Sequence, residues 1–226
     1  MQFPKASSLP SYLASFPHLQ HLYLDIKTDD LQDAGPLHYT SYTLKSATFR
    51  SLPSLGIFTF PNLKSLEIIP GWSAPSIWAE DSRTCLAIAL LQLLPMLTTL
   101  EIVEEQQVLE SGGRPITGTF LKHFVVPHQP EVLHTRKILF PRLTDPVFRV
   151  AQKNEMVEQD FYDAISSRWI PDPALAREIG VACLRSARIT VMWCLSPDPA
   201  VFGLSPLECF RDAGLRLEAA HKIVLW

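Results

Sequence analysis

The chain is short of nearly everything that would mark it for a membrane, an export route or nucleic acid. Its 20 Lys and Arg stand against 23 Asp and Glu, a net charge of −3. That balance leaves no basic footprint for nucleic acid and no polybasic surface for anionic lipid. The longest apolar stretch, Cys85 to Leu97, is interrupted by Gln92 and Pro95 and is too short to span a bilayer. MQFPKASSLP at the N-terminus has no continuous apolar run of the kind a secretion signal needs. The four cysteines Cys85, Cys183, Cys194 and Cys209 are scattered, without a C-x-x-C pair. They read as idle thiols in a reducing compartment, so an intracellular location, cytoplasmic or nuclear, is expected. Low-complexity runs and charge blocks are missing too, so no separate disordered region is expected.

Catalytic signatures are equally scarce. There is no G-x-S-x-G elbow, phosphate-binding loop, H-E-x-x-H helix or dinucleotide fingerprint. Ser73 follows a glycine in GWSAP but lacks the second glycine of a tight strand-to-helix elbow. Glu104 and Glu105 are adjacent, and neighbours on a strand point to opposite faces, so they read as a solvated strand end rather than an acid–base pair. His123, His128 and His134 form the densest histidine group, yet neither helix nor strand geometry brings all three to one side. SGGR, residues 111 to 114, reads as a turn rather than an anion cradle. No catalytic residue, metal or cofactor is expected, and the chain reads as a non-enzyme.

What the chain does have is a recurring spacing. Leu19, Leu22 and Leu24 follow L-x-x-L-x-L, and the pattern returns at Leu63, Leu66, Ile68 and at Leu97, Leu100, Ile102. Looser copies are Leu44, Ala47, Phe49; Leu121, Phe124, Val126; Leu143, Pro146, Phe148; and Leu184, Ala187, Ile189. An eighth unit is expected at GLRLEAA, residues 214 to 220. Successive first positions are 25, 19, 34, 24, 22 and 41 residues apart, and four of the six steps lie near the repeat length of about 20–29 for leucine-rich repeats. In a strand alternate side chains share a face, so the fourth and sixth positions of the motif turn inward together. One repeat cannot bury them alone, and stacked neighbours must share one core. Each buried Leu, Ile or Phe contributes on the order of 1.5–3 kcal/mol, which over the array rivals the entropy of ordering it. The expected fold is therefore α/β: an irregular leucine-rich-repeat solenoid over residues 1–226, one domain of seven to eight degenerate repeats. Its parallel sheet lines the concave side, with helices and loops outside.

Helices are expected between the strands. Ser82 caps RTCLAIALLQLL, which Pro95 stops. Asn154 precedes EMVEQDFYDAISSRW, where Val157, Phe161, Ala164 and Ile165 share a face, and Glu155, Glu158 and Arg168 suit the helix dipole. Ser205 as N-cap, Pro206, Glu208 closing a capping box and Gly214 as a left-handed stop mark a third helix. Shorter turns are expected at Ser8 to Ser15 and at Asp172 to Ile179. Residues 68 to 78, 110 to 118 and 195 to 206 read as loops by their Pro and Gly content.

The same register puts a second set of residues on the concave side. In order these are His21, Tyr23, Asp25; Ser46, Thr48, Arg50; Ser65, Glu67, Ile69; Thr99, Glu101, Val103; His123, Val125, Pro127; Asp145, Val147, Arg149; Ser186, Arg188, Thr190; and Arg216, Glu218. Glu67 and Glu101 fall in the N-terminal half, Arg188 and Arg216 in the C-terminal half. That order suggests a bipolar groove orienting a partner of opposite polarity. Trp72 and Trp78, in a long step between repeats, are candidate aromatic anchors, because Trp is enriched among residues that dominate interfaces. Trp169 and Trp193 read as caps on the core.

FPNLKSLEII, LLPMLTTLEIV, GTFLKHFVVP and FYDAISSRW leading into CLRSARITV together resemble the leucine-rich-repeat portion of fungal F-box-type proteins, over roughly residues 9 to 218. In that family an F-box module engages a Skp-type adaptor of a cullin ubiquitin ligase and the repeats select the substrate. The resemblance implies the substrate-recognition part of such a protein, with a protein partner. Repeat-like sequence begins within the first twenty residues, so no F-box module is expected and Skp-type adaptor binding is not expected either. The positions where regular repeats carry Asn or Cys hold Lys27, Leu52, Gly71, Glu105, Gln129, Ala151 and Met192, so no asparagine ladder forms and the curvature should be irregular. The alternative is a structural or self-associating repeat fragment.

Overall fold

A computed structural model describes residues 13–25, 39–50, 58–69, 94–104, 116–128, 138–150, 155–193 and 205–223. Nine strands lie in it: β1 (His21–Asp25), β2 (Tyr39–Thr40), β3 (Ser46–Arg50), β4 (Phe58–Thr59), β5 (Ser65–Ile69), β6 (Thr99–Val103), β7 (Asp145–Val150), β8 (Ser186–Trp193) and β9 (Arg216–Ile223). Seven form one parallel sheet in chain order, β1-β3-β5-β6-β7-β8-β9, which does not close into a barrel. The other two, β2 and β4, pair with each other in a small second parallel sheet that the spacing did not signal.

The register follows the leucine spacing. Leu22, Ala47, Leu66, Leu100 and Pro146 are successive cross-strand partners. Leu24, Phe49, Ile68, Ile102, Phe148, Ile189 and Ala219 form a parallel row two residues on. Where described, the side chains of both rows are buried, and the alternate residues between them are not. The eighth unit is also present, with Leu217 opposite Ala187.

Backbone groups just ahead of each strand set this register. Leu19, Leu63, Leu97 and Leu143 each donate their N–H to the carbonyl three residues back, at 3.1, 3.1, 3.2 and 3.1 Å. In all four turns the second residue is proline (Pro17, Pro61, Pro95, Pro141), whose fixed φ suits that position. One residue past the motif leucine, a carbonyl then accepts from two successive N–H groups of the next unit. Gln20 O takes Lys45 and Ser46 at 2.8 and 3.1 Å, Lys64 O takes Thr98 and Thr99 at 2.8 and 2.9 Å, and Thr144 O takes Arg185 and Ser186 at 2.8 and 3.2 Å.

One of the expected strand copies is not a strand. Leu121 belongs to a short helix, α1 (Gly118–Lys122), whose N-cap Thr117 accepts from Phe120 N at 3.1 Å. Leu121, Phe124 and Val126 are buried as the motif demands, but in helical and irregular backbone. No proline turn precedes them, and a capping threonine does, so the local chain closes a helix and β6 pairs directly with β7.

The helix at EMVEQDFYDAISSR forms as expected, α2 (Glu155–Arg168). Phe161, Ala164 and Ile165 are buried, and Phe161 meets Phe148 edge-on at 5.9 Å. Arg168 stands in the last turn, as the dipole reading expected, and its side chain turns inward. It is only 1% exposed. Its Nε donates to Phe124 O at 2.6 Å, Nη1 to Phe140 O at 3.1 Å and Nη2 to Leu139 O. The guanidinium also stands over the Phe124 ring, 5.6 Å from its centre. Three carbonyls from two separate segments thus converge on one side chain, and Phe140 holds a left-handed φ of 50° within this cradle.

The remaining described helices are short. In α3 (Pro173–Ile179) Asp172 caps as expected, accepting from Ala174 N at 2.8 Å, and Gly180 ends the helix at φ 81°. The third expected helix begins late: Ser205–Leu207 is a 3-10 turn, and α4 (Glu208–Asp212) has Leu207 at its cap with no side-chain bond, so Ser205 is not its N-cap. Gly214, at φ 104°, is the left-handed stop that the spacing implied. Leu13 and Ala14 are helical and the end of the Ser8–Ser15 turn. The helix after Ser82, Trp72, Trp78, His134, Ser73, Glu105 and the glycines of SGGR lie outside the described residues.

Burial draws the Arg168 pKa down from the ordinary arginine range to about 10, so the group is charged at neutral pH. Replacing it by alanine orphans the three carbonyls and leaves a void under Phe124. We predict that Arg168→Ala lowers stability by about 3–5 kcal/mol in urea unfolding. The folded pKa lies below the unfolded one, so the folded form gains from this group only as pH climbs past about 10 toward the ordinary arginine range. The wild-type minus variant difference should therefore stay flat between about pH 6 and 9.

Candidate functional site

The residues between the buried rows form one open face across seven strands. The first row runs His21, Ser46, Ser65, Thr99, Asp145, Ser186, Arg216, and the second Tyr23, Thr48, Glu67, Glu101, Val147, Arg188, Glu218. Beyond them lie Asp25 opposite Arg50, Ile69 and Val103 in neighbouring strands, and Arg149 opposite Val103 and Thr190. By strand register the structure thus brings together eleven of the twelve charged, aromatic and imidazole residues that the spacing assigned to this face. The twelfth, His123, is elsewhere: it is the C-cap of α1, because the strand expected there is a helix. Val125 and Pro127 leave the face with it.

Hydroxyls dominate the first row. His21 Nδ1 and Ser46 Oγ are 2.6 Å apart. Asp145 accepts from Ser186 Oγ at 2.6 Å and from Thr144 Oγ1 at 2.7 Å. The His21–Ser46 contact resembles half of a nucleophile–base pair, but no third group orients the imidazole among the described bonds.

Charge in the second row is arranged differently from a bipolar groove. Arg149 Nη2 lies 2.5 Å from Glu101 Oε1, which is itself shielded from solvent and held by ion pairing rather than by an aligned hydrogen bond. Arg188 Nη2 lies 2.6 Å from Glu218 Oε2. Arg149 and Arg188 therefore answer carboxylates of the same face, so that of the four residues that gave the residue order its polarity Glu101 and Arg188 are compensated within the protein, while Glu67 and Arg216 have no ion pair among the described residues. Glu67 is different. It accepts from Thr48 Oγ1 at 3.0 Å, no arginine or lysine pairs with it among the described residues, and it sits directly opposite Glu101, where like charges repel.

Around the face, other candidates resolve into structural roles. Glu104 is not a solvated strand end. It is 1% exposed and its Oε1 accepts from Ile116 N at 3.2 Å. Sequence reasoning missed it because alternation says only which way a side chain points, not what later covers it. His128 Nε2 meets Ser167 O at 2.6 Å, tying its segment to the end of α2. Cys183 is half-buried, and burial pushes its thiol pKa up. Trp169 packs against the main core, as a cap should, while Trp193 is the last residue of β8. Among the described residues no cluster of three or more His, Cys, Asp or Glu is placed to hold a metal ion. No described helix is long and apolar enough to cross a membrane.

Comparison with protein-family models, with curated proteins and with solved structures found no match for this chain.

The two ion pairs should differ in weight. The Glu101 side chain is 24% exposed and lies beside Glu67, whereas both partners of Arg188–Glu218 are about half exposed, 49% and 56%. Arg149→Met is expected to cost about 1–2 kcal/mol and Arg188→Met less than about 1 kcal/mol. Adding Glu101→Gln to Arg149→Met should recover part of the loss, a non-additivity that urea titration of the double variant measures.

Proposed function

We propose that the chain is a non-enzymatic protein-interaction module, an irregular leucine-rich-repeat solenoid whose open sheet face selects a protein partner. The observation that carries this reading is the sheet itself: seven parallel strands in chain order, each adding its leucine-type pair to one continuous core. A chain built this way grows along one axis and leaves a wide face free of its own packing, the arrangement that repeat proteins use for binding. On the buried side of the sheet, α2 packs Phe161 against Phe148, which suits a solenoid with helices on its convex side.

Within that reading, the chain acts as the substrate-recognition part of an F-box-like ubiquitin-ligase adaptor, inside the cell, in cytoplasm or nucleus. The support is the motif resemblance together with the absence of any assembled catalytic constellation among the described residues. A surface of ion pairs, hydroxyls and one exposed tyrosine suits recognition of another protein better than it suits chemistry.

A second reading, a structural or self-associating repeat, is favoured by one observation. The eight-residue strand β9 stands at the sheet edge, with no described strand on its outer side, and such an edge invites a further strand.

Photo-crosslinkers placed at Thr48 and Ser186 on the face, and at Leu175 on α3, test the proposal in the native cell. The expected result is one protein captured from both face positions and not from Leu175, whose abundance rises when the chain is depleted. Capture from Leu175 alone contradicts recognition through the face. Capture through the face with unchanged abundance contradicts the ligase role. Light scattering checks the second reading, which requires a mass that rises with concentration.

A further inference from the structure

We infer that the open face receives an extended polypeptide segment of its partner carrying a single lysine or arginine, seated on Glu67 with Tyr23 as its wall. This deepens the recognition reading above and rests on it.

The inference starts from what the charges of the central row already do. Arg149 answers Glu101, and Arg188 answers Glu218. Val147 and Thr48 are neutral, and Thr48 spends its hydroxyl proton on Glu67. Glu67 is then the carboxylate of this row left without a cation among the described residues, and its position opposite Glu101 raises the cost of that vacancy. A half-buried carboxylate with one neutral donor gains a charge-assisted bond from any ammonium or guanidinium delivered to it. The Coulomb field that disfavours Glu67 in the free protein favours such a guest.

Two strands away in the same row is Tyr23, 59% exposed. With strands about 4.8 Å apart, its ring stands roughly 10 Å from Glu67 at the backbone level, within reach of the four-carbon stem of lysine or the three-carbon stem of arginine. An aromatic face beside a carboxylate accommodates both parts of such a side chain, the apolar stem and the cationic head. Ile69 follows Glu67 on β5 and is half-buried, an apolar floor for a neighbouring partner residue. In this row the charges of β8 and β9, Arg188 and Glu218, compensate each other and are exposed, which gives a partner neither a deficit to fill nor a buried group to satisfy. The occupant is therefore a cation-bearing segment lying over the β1 to β6 half, not an acidic segment and not a nucleic acid, whose phosphates Glu67 and Glu101 repel.

The test is a library of extended twelve-residue peptides with one fixed central residue, either Lys, Arg, citrulline, norleucine or Glu, bound to the whole protein and read by fluorescence anisotropy. Wild type is expected to select Lys and Arg over citrulline and norleucine by about tenfold and to disfavour Glu. Glu67→Gln should abolish that preference, Tyr23→Ala should weaken all retained peptides, and Glu178→Gln, exposed on α3 and off the face, should change nothing. Circular dichroism melts confirm that each variant is folded, and a Glu67→Asp variant that keeps the preference at reduced strength guards against a folding artefact. Peptides that bind with no charge preference, or whose preference survives Glu67→Gln, overturn the inference while leaving recognition by the face intact. A library from which no peptide binds the face overturns both.

Discussion

Six carbonyl groups at the mouths of the strands hold the sheet in register. Gln20, Lys45, Lys64, Thr98 and Thr144 each accept from two consecutive N–H groups of the following unit, and Arg185 accepts from Arg216 at 3.1 Å. Because side chains in a strand alternate, a slip of one residue at any of these points would turn a leucine row out to solvent and a polar row inward. The bonds are local and identical in kind, so the hydrophobic rows on one side and the polar rows on the other are two consequences of one backbone device. The prolines ahead of four of the strands reduce the freedom of the chain at the turn that delivers it to this device. Threonine hydroxyls reinforce it, with Thr98 Oγ1 bonded to Lys64 O at 3.0 Å and Thr144 Oγ1 to Thr98 O at 3.2 Å.

Between β6 and β7 the chain leaves the sheet, and there it relies on Arg168. The described segments 116–128 and 138–143 pack α1 and irregular backbone against the core, with Phe120, Phe124 and Phe140 contributing rings whose centres lie 5.0 and 5.4 Å apart in sequence. Irregular backbone under aromatic rings cannot reach water, so its carbonyls need donors from the protein. Arg168 brings three in a fixed planar fork. The burial that lowers its pKa is the cost, and the satisfied carbonyls of Phe124, Leu139 and Phe140 are what offsets it. Glu104 does the complementary job for an orphan donor, the N–H of Ile116. Two buried charged groups of opposite sign thus serve backbone atoms rather than each other.

Much of the sheet was legible because L-x-x-L-x-L encodes direction and spacing at once. Leu22, Ala47, Leu66 and Leu100 had to be successive neighbours if they were to share a core, and they are. The false copy at Leu121 shows the limit of that argument. Its three apolar residues are buried like the others, so burial periodicity was read correctly while backbone conformation was not. The discriminating signal was present in the chain: Phe60-Pro61, Leu94-Pro95 and Phe140-Pro141 precede true strands, whereas Leu121 follows Thr117 and Gly118, a cap and a residue so close to Asp160 that a Cβ would come within 2.2 Å of Oδ2. Arg168 and Glu104 were illegible for a different reason. Their partners lie 44, 28 and 12 residues away or more in backbone atoms, and main-chain carbonyls and N–H groups carry no mark in a sequence.

The same distinction governs the face. Residue order placed the charges correctly on one side of the sheet, and from order alone acids in the first half and arginines in the second read as a polarity. Pairing reduces that polarity, because in a parallel sheet a side chain reaches the neighbouring strand, and an arginine one row along finds the carboxylate next door. What a surface offers is then the residue of charge left after neighbours have paired, not the charge counted along the strand. In the central row that remainder is negative, it is centred on β5, and it lies in the row of the exposed ring of the first strand. Recognition by such a surface depends less on its total charge than on a single vacancy, which is why it can be specific while the protein as a whole stays near neutrality.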